Sequence, residues 1–185
     1  MSSAIINNLP GIEECTYLEL GIGNLQNFIS IKAKNKMSVD TNGLATFTGT
    51  TDSFFENISP FIKFDIIFID ANHDYNYVVR DYNNSVARCT KWLLIHDMIP
   101  PSERYTDTKF CSDSYKLLYY LLTTSGADIY PMANNYGLTL IRMPAQKINP
   151  PATVDKLTYG RFMEYISSEK LWTDSEIVDI LKSDE

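Results

Sequence analysis

The chain is predicted to fold as an α/β protein, with a mostly parallel, doubly wound sheet closed by a C-terminal antiparallel hairpin. Three observations lead there. Short apolar runs alternate with amphipathic stretches along most of the sequence, as strands and helices do when they are taken in turn. One run, FDIIFIDA at residues 64–71, keeps Ile66 through Ile69 unbroken, the pattern of a strand covered on both faces. The last two runs are joined at Asn134-Asn135, a pair suited to a hairpin turn.

Each element has its own signal. Residues 16–22 (TYLELGI) form a short, mostly apolar run ending in glycine, which suits a buried strand. Residues 25–33 place Leu25, Phe28, Ile29 and Ile31 on a short helix, and residues 36–40 and 45–49 read as two further strands. Residues 53–60 carry Phe54, Phe55 and Ile58 on one helical face, with Pro60 as the stop. After the strand at 64–71 come a helix over 75–89 and an apolar strand over 92–95. Pro100-Pro101 and several polar residues mark 98–113 as a loop. Ser112 or Asp113 is placed to cap a helix running to Thr124, with Tyr115, Leu118, Tyr119 and Leu122 on one face and Gly126 at its end. Strands over 128–132 and 137–143 complete the alternation.

These elements make residues 1–144 one domain, and residues 145–185 a tail. Pro150-Pro151 open that tail, and 159–170 and 175–182 read as two helices. Docking on the sheet, capping the site and forming a homodimer contact are all open to it.

Composition bounds the function. With 185 residues, 44% of them hydrophobic and 21% charged, the chain has the make-up of one ordinary globular domain. A formal charge of -7 argues against a nucleic-acid backbone as partner. Cys15, Cys89 and Cys111 are odd in number and widely spaced, with no CxxC pair, which speaks against a thiolate zinc site or a disulfide framework. The first ten residues lack the marks of a secretion signal. No apolar run reaches the roughly 20 residues a membrane helix needs. The expectation is a soluble, cytoplasmic protein without nucleic-acid or membrane partners.

In an open parallel sheet, ligands bind beyond the carboxyl ends of the strands. The first strand delivers Glu19 and the glycines Gly21 and Gly23, which permit a tight turn and a close approach of backbone N–H groups to a ligand. The second ends in Asp40, where a carboxylate can accept both hydroxyl hydrogens of a ribose. A dinucleotide fingerprint would have a third glycine where Gln26 stands. That favours a ligand without phosphates over the rival reading, an NAD-dependent oxidoreductase. The next strand ends supply Asp70, His73, His96 and Asp97, and these two histidines are the only ones in the chain. The four could work as general base and orienting acid, or hold a divalent cation such as Mg²⁺ or Mn²⁺ through Asp70, His96 and Asp97. Glu103, Arg104 and Lys109 lie on the loop beside them, where a solvated loop is the plainer reading and substrate recognition the other.

The motifs together resemble a known family. LELGIG at 18–23 is similar to the glycine loop of class I S-adenosyl-L-methionine (SAM) methyltransferases, and Val39-Asp40 to their ribose-binding strand end. GTTDSFFEN at 49–57 resembles the segment that meets the adenine. FDIIFIDANHDYNYVVRDYNNS and LLIHDMIPPSE resemble the FIDG-H-Y-E and HD-x-x-PP-(S/T)-E patterns of the methyltransferase-24 subgroup. The match covers residues 16–143.

The resemblance implies the Rossmann-like methyltransferase fold, SAM as cofactor and methylation of an oxygen or nitrogen on a small-molecule or glycan acceptor. It places Glu19, Gly21 and Gly23 at the methionine and ribose, Asp40 on the ribose hydroxyls, and Asp52 and Ser53 near the adenine. Asp70 would sit beside the methionine end or the acceptor, with His73, His96 and Asp97 lining the acceptor side. In metal-dependent relatives an Asp-Asn pair stands where this chain has His96-Asp97. Asn72 replaces a common glycine, Tyr77 a usual glutamate, and Cys89-Thr90-Lys91 a glycine turn. The short stretch before the first strand implies that covering N-terminal helices are missing. These departures motivate a second alternative, a SAM-binding protein without transferase activity.

Overall fold

The computed structural model describes residues 2–182. Seven strands form one sheet: β1 (Thr16–Leu20), β2 (Asn35–Asp40), β3 (Phe47–Thr48), β4 (Phe64–Ile69), β5 (Cys89–Ile95), β6 (Ile129–Pro131) and β7 (Thr139–Arg142). Their order is β3-β2-β1-β4-β5-β7-β6. β1 pairs in parallel with β2 and β4, and β4 with β5, whereas β7 runs antiparallel to both β5 and β6. The expected parallel sheet with a closing antiparallel pair is therefore present.

The strands sort their side chains with a period of two. Leu18, Leu20, Ile67, Ile69, Leu93 and Ile95 enter one core, and Tyr17, Ile66, Phe68, Trp92 and Leu94 enter the other. The first core is covered by α3 (Thr51–Asn57), α4 (Tyr75–Val86), α5 (Tyr115–Thr124) and α7 (Tyr159–Ile166). On the second face lie α1 (Ser3–Ile6), α2 (Gln26–Ser30) and α8 (Asp174–Lys182). A short α6 (Ala152–Asp155) precedes α7. The two tail helices thus take opposite faces, Phe162 and Ile166 in one core and Ile177 and Leu181 in the other. Between them Trp172 exchanges backbone bonds with Pro131 and Ala133 along the β6 edge. Among the described residues, no helix is long and apolar enough to cross a membrane.

Several boundaries differ from the sequence expectation. α2 stops at Ser30 because Ile31 and Ala33 turn into the second core, and Lys36 Nζ takes the carbonyls of Phe28 and Ile31 at 2.9 Å each. α3 starts at Thr51, since Thr50 accepts from Ser53 N as its N-cap, and it ends at Asn57, before Pro60 is reached. Neither Ser112 nor Asp113 caps α5. Ser112 Oγ donates to Asp74 at 2.6 Å, and Asp113 Oδ1 accepts from Tyr75 N at 2.6 Å, so both residues serve the start of α4 instead. The expected hairpin turn is a 3-10 turn over Asn135–Gly137. The stretch before β1 carries the four-residue α1, whose Ile5 and Ile6 join the second core.

Candidate active site

The sheet order reverses around β1, where β2 and β4 flank it, and there the strand ends open a crevice. Gly21 N donates to Val39 O and Asp70 N to Leu20 O, both at 2.8 Å, so the ladder continues up to the crevice floor. Gly21 has φ +85, and a Cβ there would lie 2.1 Å from the Asp70 carbonyl oxygen. Only glycine lets the β1 and β4 ends come so close. Gly23, at φ +46, would place a Cβ in open space.

The crevice is a cavity of about 490 Å³, with Gly21, Gly23, Asp40, Asp52 and Asp70 in its wall. Asp40 Oδ2 accepts from Ile22 N at 2.9 Å and Gly23 N at 3.3 Å, while Oδ1 accepts from Asn42 N at 2.9 Å. Burial pushes the Asp40 carboxyl up, but these backbone donors outweigh it and hold it below its usual value. Asp52 pairs with Arg80 at 2.9 Å. Among the described residues of its wall, none is a lysine or arginine.

Two predicted cofactor residues do not line this cavity. Ser53 is engaged in the α3 cap, donating its hydroxyl to Thr50 O at 2.8 Å; Thr50 and Thr51 face the cavity in its place. Glu19 shares the Tyr17 face of β1 by strand periodicity. Its carboxylate is buried, accepting from Tyr17 Oη at 2.6 Å and Asn27 Nδ2 at 3.2 Å. Burial above all pushes its pKa up to about 7.

Ala71 and Asn72 also border a second cavity, of about 620 Å³. His73, His96 and Asp97 line it, and Asp70 joins them from the first cavity. His73 Nδ1 lies 3.0 Å from Asp97 Oδ2 and 3.2 Å from Phe110 O. His96 Nδ1 lies 3.2 Å from Asp70 Oδ1 and 3.2 Å from Asp97 Oδ1. His73 Nε2 is 3.4 Å from Asp70 Oδ1. All four residues expected beyond β4 and β5 therefore meet in one cluster.

Burial disfavours charge on His96, yet Asp70 and Asp97 reverse that and raise its pKa to about 10. Asp97 is itself held low, against its burial, by His96 and His73. Asp97 adopts φ 60, and Ser112, Asn135 and Tyr136 nearby also have positive φ. Of these, Asp97 and Tyr136 line the cavity, and Ser112 and Asn135 are the chain neighbours of its wall residues Cys111 and Tyr136.

The cluster suits a divalent cation. One ligand atom each from Asp70, His96 and Asp97 falls within a 4.8 Å group. His96 Nδ1 and His73 Nε2 are buried without a well-aligned hydrogen bond, although carboxylate oxygens stand close by. One imidazole with two carboxylates is a donor set for Mn²⁺ or a related ion more than for Mg²⁺, which favours oxygen alone.

Sequence reasoning missed the aromatic wall of the second cavity. Tyr105, Phe110 and Tyr136 line it, with Tyr105 5.0 Å from Phe110 and 5.9 Å from Tyr136, centroid to centroid. Lys109 lines it too, whereas Glu103 and Arg104 are not in its wall. The one available signal was position, since Tyr136 follows the Asn134-Asn135 pair beside the β5 end.

No family model matches the chain, and no curated protein matches it in sequence. Solved structures do. An O-methyltransferase from Bacillus cereus in complex with S-adenosylhomocysteine (SAH) superposes with TM-score 0.51 at 13% identity, over 76% of this chain and 78% of that one. TomG from Streptomyces achromogenes, an O-methyltransferase of tomaymycin synthesis in complex with SAM, gives 0.52 at 10%, over 76% and 77%. A protein from Corynebacterium glutamicum gives 0.53 at 10%, over 80% and 79%. The likeness is one of fold: the chain has the Rossmann-like fold of class I methyltransferases.

Proposed function

We propose that the chain is a SAM-dependent methyltransferase of the methyltransferase-24-like subgroup, acting on an oxygen, or a nitrogen, of a small acceptor. The carrying observation is the charge of the first cavity, which has Asp40 and Asp70 in its wall, beside Asp52 with its Arg80 partner, and no cationic side chain among its described lining residues. Such a wall suits a ligand with a sulfonium and an ammonium group, and repels the pyrophosphate of a dinucleotide. Gly21 lets the β1 and β4 ends meet under the ligand, Gly23 leaves the turn beside it open, Asp40 offers its carboxylate to the ribose, and Asp52 with Thr51 borders the adenine end. Asp70 stands where the two cavities meet. FIDANHDYNYVV and HDMIPPSE support the subgroup, and a sugar hydroxyl is the first acceptor to try.

SAM supplies the methyl group, and the residues of this chain position its acceptor. His73 Nδ1 has two oxygen acceptors in reach, Asp97 Oδ2 and Phe110 O. They hold the hydrogen on Nδ1 and leave the buried Nε2 with a lone pair toward Asp70 Oδ1, so that the acceptor's proton would reach it through Asp70. Asp70, His96 and Asp97 would hold a divalent cation, which when bound makes an acceptor hydroxyl more acidic. Tyr105, Phe110 and Tyr136 offer ring faces to the acceptor and limit its orientations.

Calorimetric titration with SAH tests the reading, with wild type and Asp40→Ala compared and NAD as control. Binding to the wild type that is lost in the variant, with no NAD binding, is the expected result. A folded wild type that binds no SAH overturns it. SAH binding without methyl transfer to any acceptor, with or without Mn²⁺, would favour a non-catalytic SAM-binding protein.

A further inference from the structure

The His96 ring is packed on two sides, edge-on to Phe68 at 6.2 Å and to Tyr136 at 6.1 Å between centroids. Packing of this kind sets the tilt of an imidazole but does not tell its two flipped orientations apart, because the ring keeps nearly the same shape. A hydrogen bond can. His96 Nε2 lies 3.4 Å from Asn135 Oδ1, and Asn135 Nδ2 donates to Ser2 Oγ at 2.9 Å. Ser2 and the first turn of α1 are buried against this corner of the sheet. Asn135 sits at φ 51, in the 3-10 turn that Ile99 N holds by its 2.9 Å bond to Tyr136 O. Asparagine tolerates that backbone better than most residues.

We propose that Asn135, steadied by Ser2, is a positioning residue that hands His96 Nδ1 to Asp70 and Asp97. An amide oxygen can only accept, so Oδ1 keeps a hydrogen on Nε2. Nδ1 then faces the two carboxylates and, releasing its proton as the cation binds, completes with them a donor set for that divalent cation. If the ring flipped, carbon atoms would face both Asn135 and the carboxylates, and the set would lose its nitrogen. A contact of this kind, behind a ligand rather than on the metal, typically changes affinity by about 10- to 100-fold. The inference rests on the methyltransferase reading only for what the cation would serve.

Mn²⁺ alone is the probe, added to the full chain without SAM and followed by calorimetry and by electron spin-echo spectroscopy. Asn135→Gly removes the amide without straining a positive-φ backbone, and Asn135→Asp keeps an acceptor that also tolerates it. The wild type is expected to bind Mn²⁺ with an imidazole-nitrogen coupling. Asn135→Gly should lose about 10- to 100-fold in affinity together with that coupling, Asn135→Asp should keep both, and SAH affinity should be the same in all three. A wild type that binds no Mn²⁺, or an Asn135→Gly variant that keeps affinity and coupling, overturns the proposal. Loss of SAH binding from the wild type would instead sink the methyltransferase reading, and the Mn²⁺ comparison would still decide the role of Asn135.

Discussion

Asp113 caps a helix that begins 38 residues before it, its Oδ1 accepting from Tyr75 N at 2.6 Å. The bond ties the end of the loop that walls the second cavity to the first turn of α4, and Ser112 repeats the tie through Asp74. Asp113 also holds the largely buried Lys116 at 2.7 Å. Asp113→Ala removes a cap, which typically costs about 1 kcal/mol of stability. Thermal unfolding should show a modest loss, while SAH affinity, set in the other cavity, should not change. A variant that loses SAH binding while folded would mean that the loop tied by Asp113 also shapes the first cavity.

The two glycines after β1 should respond very differently to a methyl group. At Gly21 a Cβ would sit 2.1 Å from the Asp70 carbonyl oxygen, a backbone atom that cannot move without parting β1 from β4. Gly21→Ala is therefore expected to lose several kcal/mol, on the order of the largest single-site effects. At Gly23 the space is open and only the left-handed backbone resists, at about 1–2 kcal/mol. Urea denaturation of both variants checks the contrast, and equal losses would contradict the close approach at Gly21.

How far these features could be read from sequence depended on whether local pattern carried the information. Ile66 to Ile69 form a fully buried strand, and an unbroken apolar run says so directly. Asp40, Asp70 and His96-Asp97 follow strands, so topology alone brings them to one edge of the sheet. Glu19 and Ser53 were placed by resemblance, but Glu19 lies on the Tyr17 face and Ser53 closes a cap, both local facts that outrank motif position. Tyr105 and Phe110 come from a loop without periodicity, and no pattern could aim them at the cavity. The helices of the tail were legible as helices. That one covers each face was not, because an amphipathic stripe says only that it needs a partner.

His73 should separate chemistry from binding. His73→Gln removes the lone pair at Nε2 but leaves Asp40, Asp52 and the first cavity untouched. Methyl transfer is expected to fall by about 10² to 10⁴, the usual contribution of a positioned base, with SAH affinity unchanged. Single-turnover rates beside SAH titration measure the two quantities. A variant with undiminished transfer would remove His73 from the role.

Asp81 gives stability a pH dependence whose sign can be worked out. It lies on α4, nearly inaccessible at 2% exposure. Burial pushes its pKa up to about 6, against a hydrogen bond from Thr51 that favours the anion. With the folded pKa above the unfolded one, the native state binds more protons across the interval from about 4 to about 6, so stability falls as pH rises through it. Above that window the ionised group costs roughly 2–3 kcal/mol, from two pKa units at about 1.4 kcal/mol each. Glu19, also raised, adds a decline of the same sign, so the wild-type curve alone cannot identify Asp81. Asp81→Asn can, because it keeps an oxygen for Thr51 and never ionises. Urea denaturation at about pH 4.5 and about pH 7.5 should find the variant's gain over wild type small in acid and clearly larger at the higher pH. The same difference at both pH values would mean that Asp81 does not carry the shifted titration.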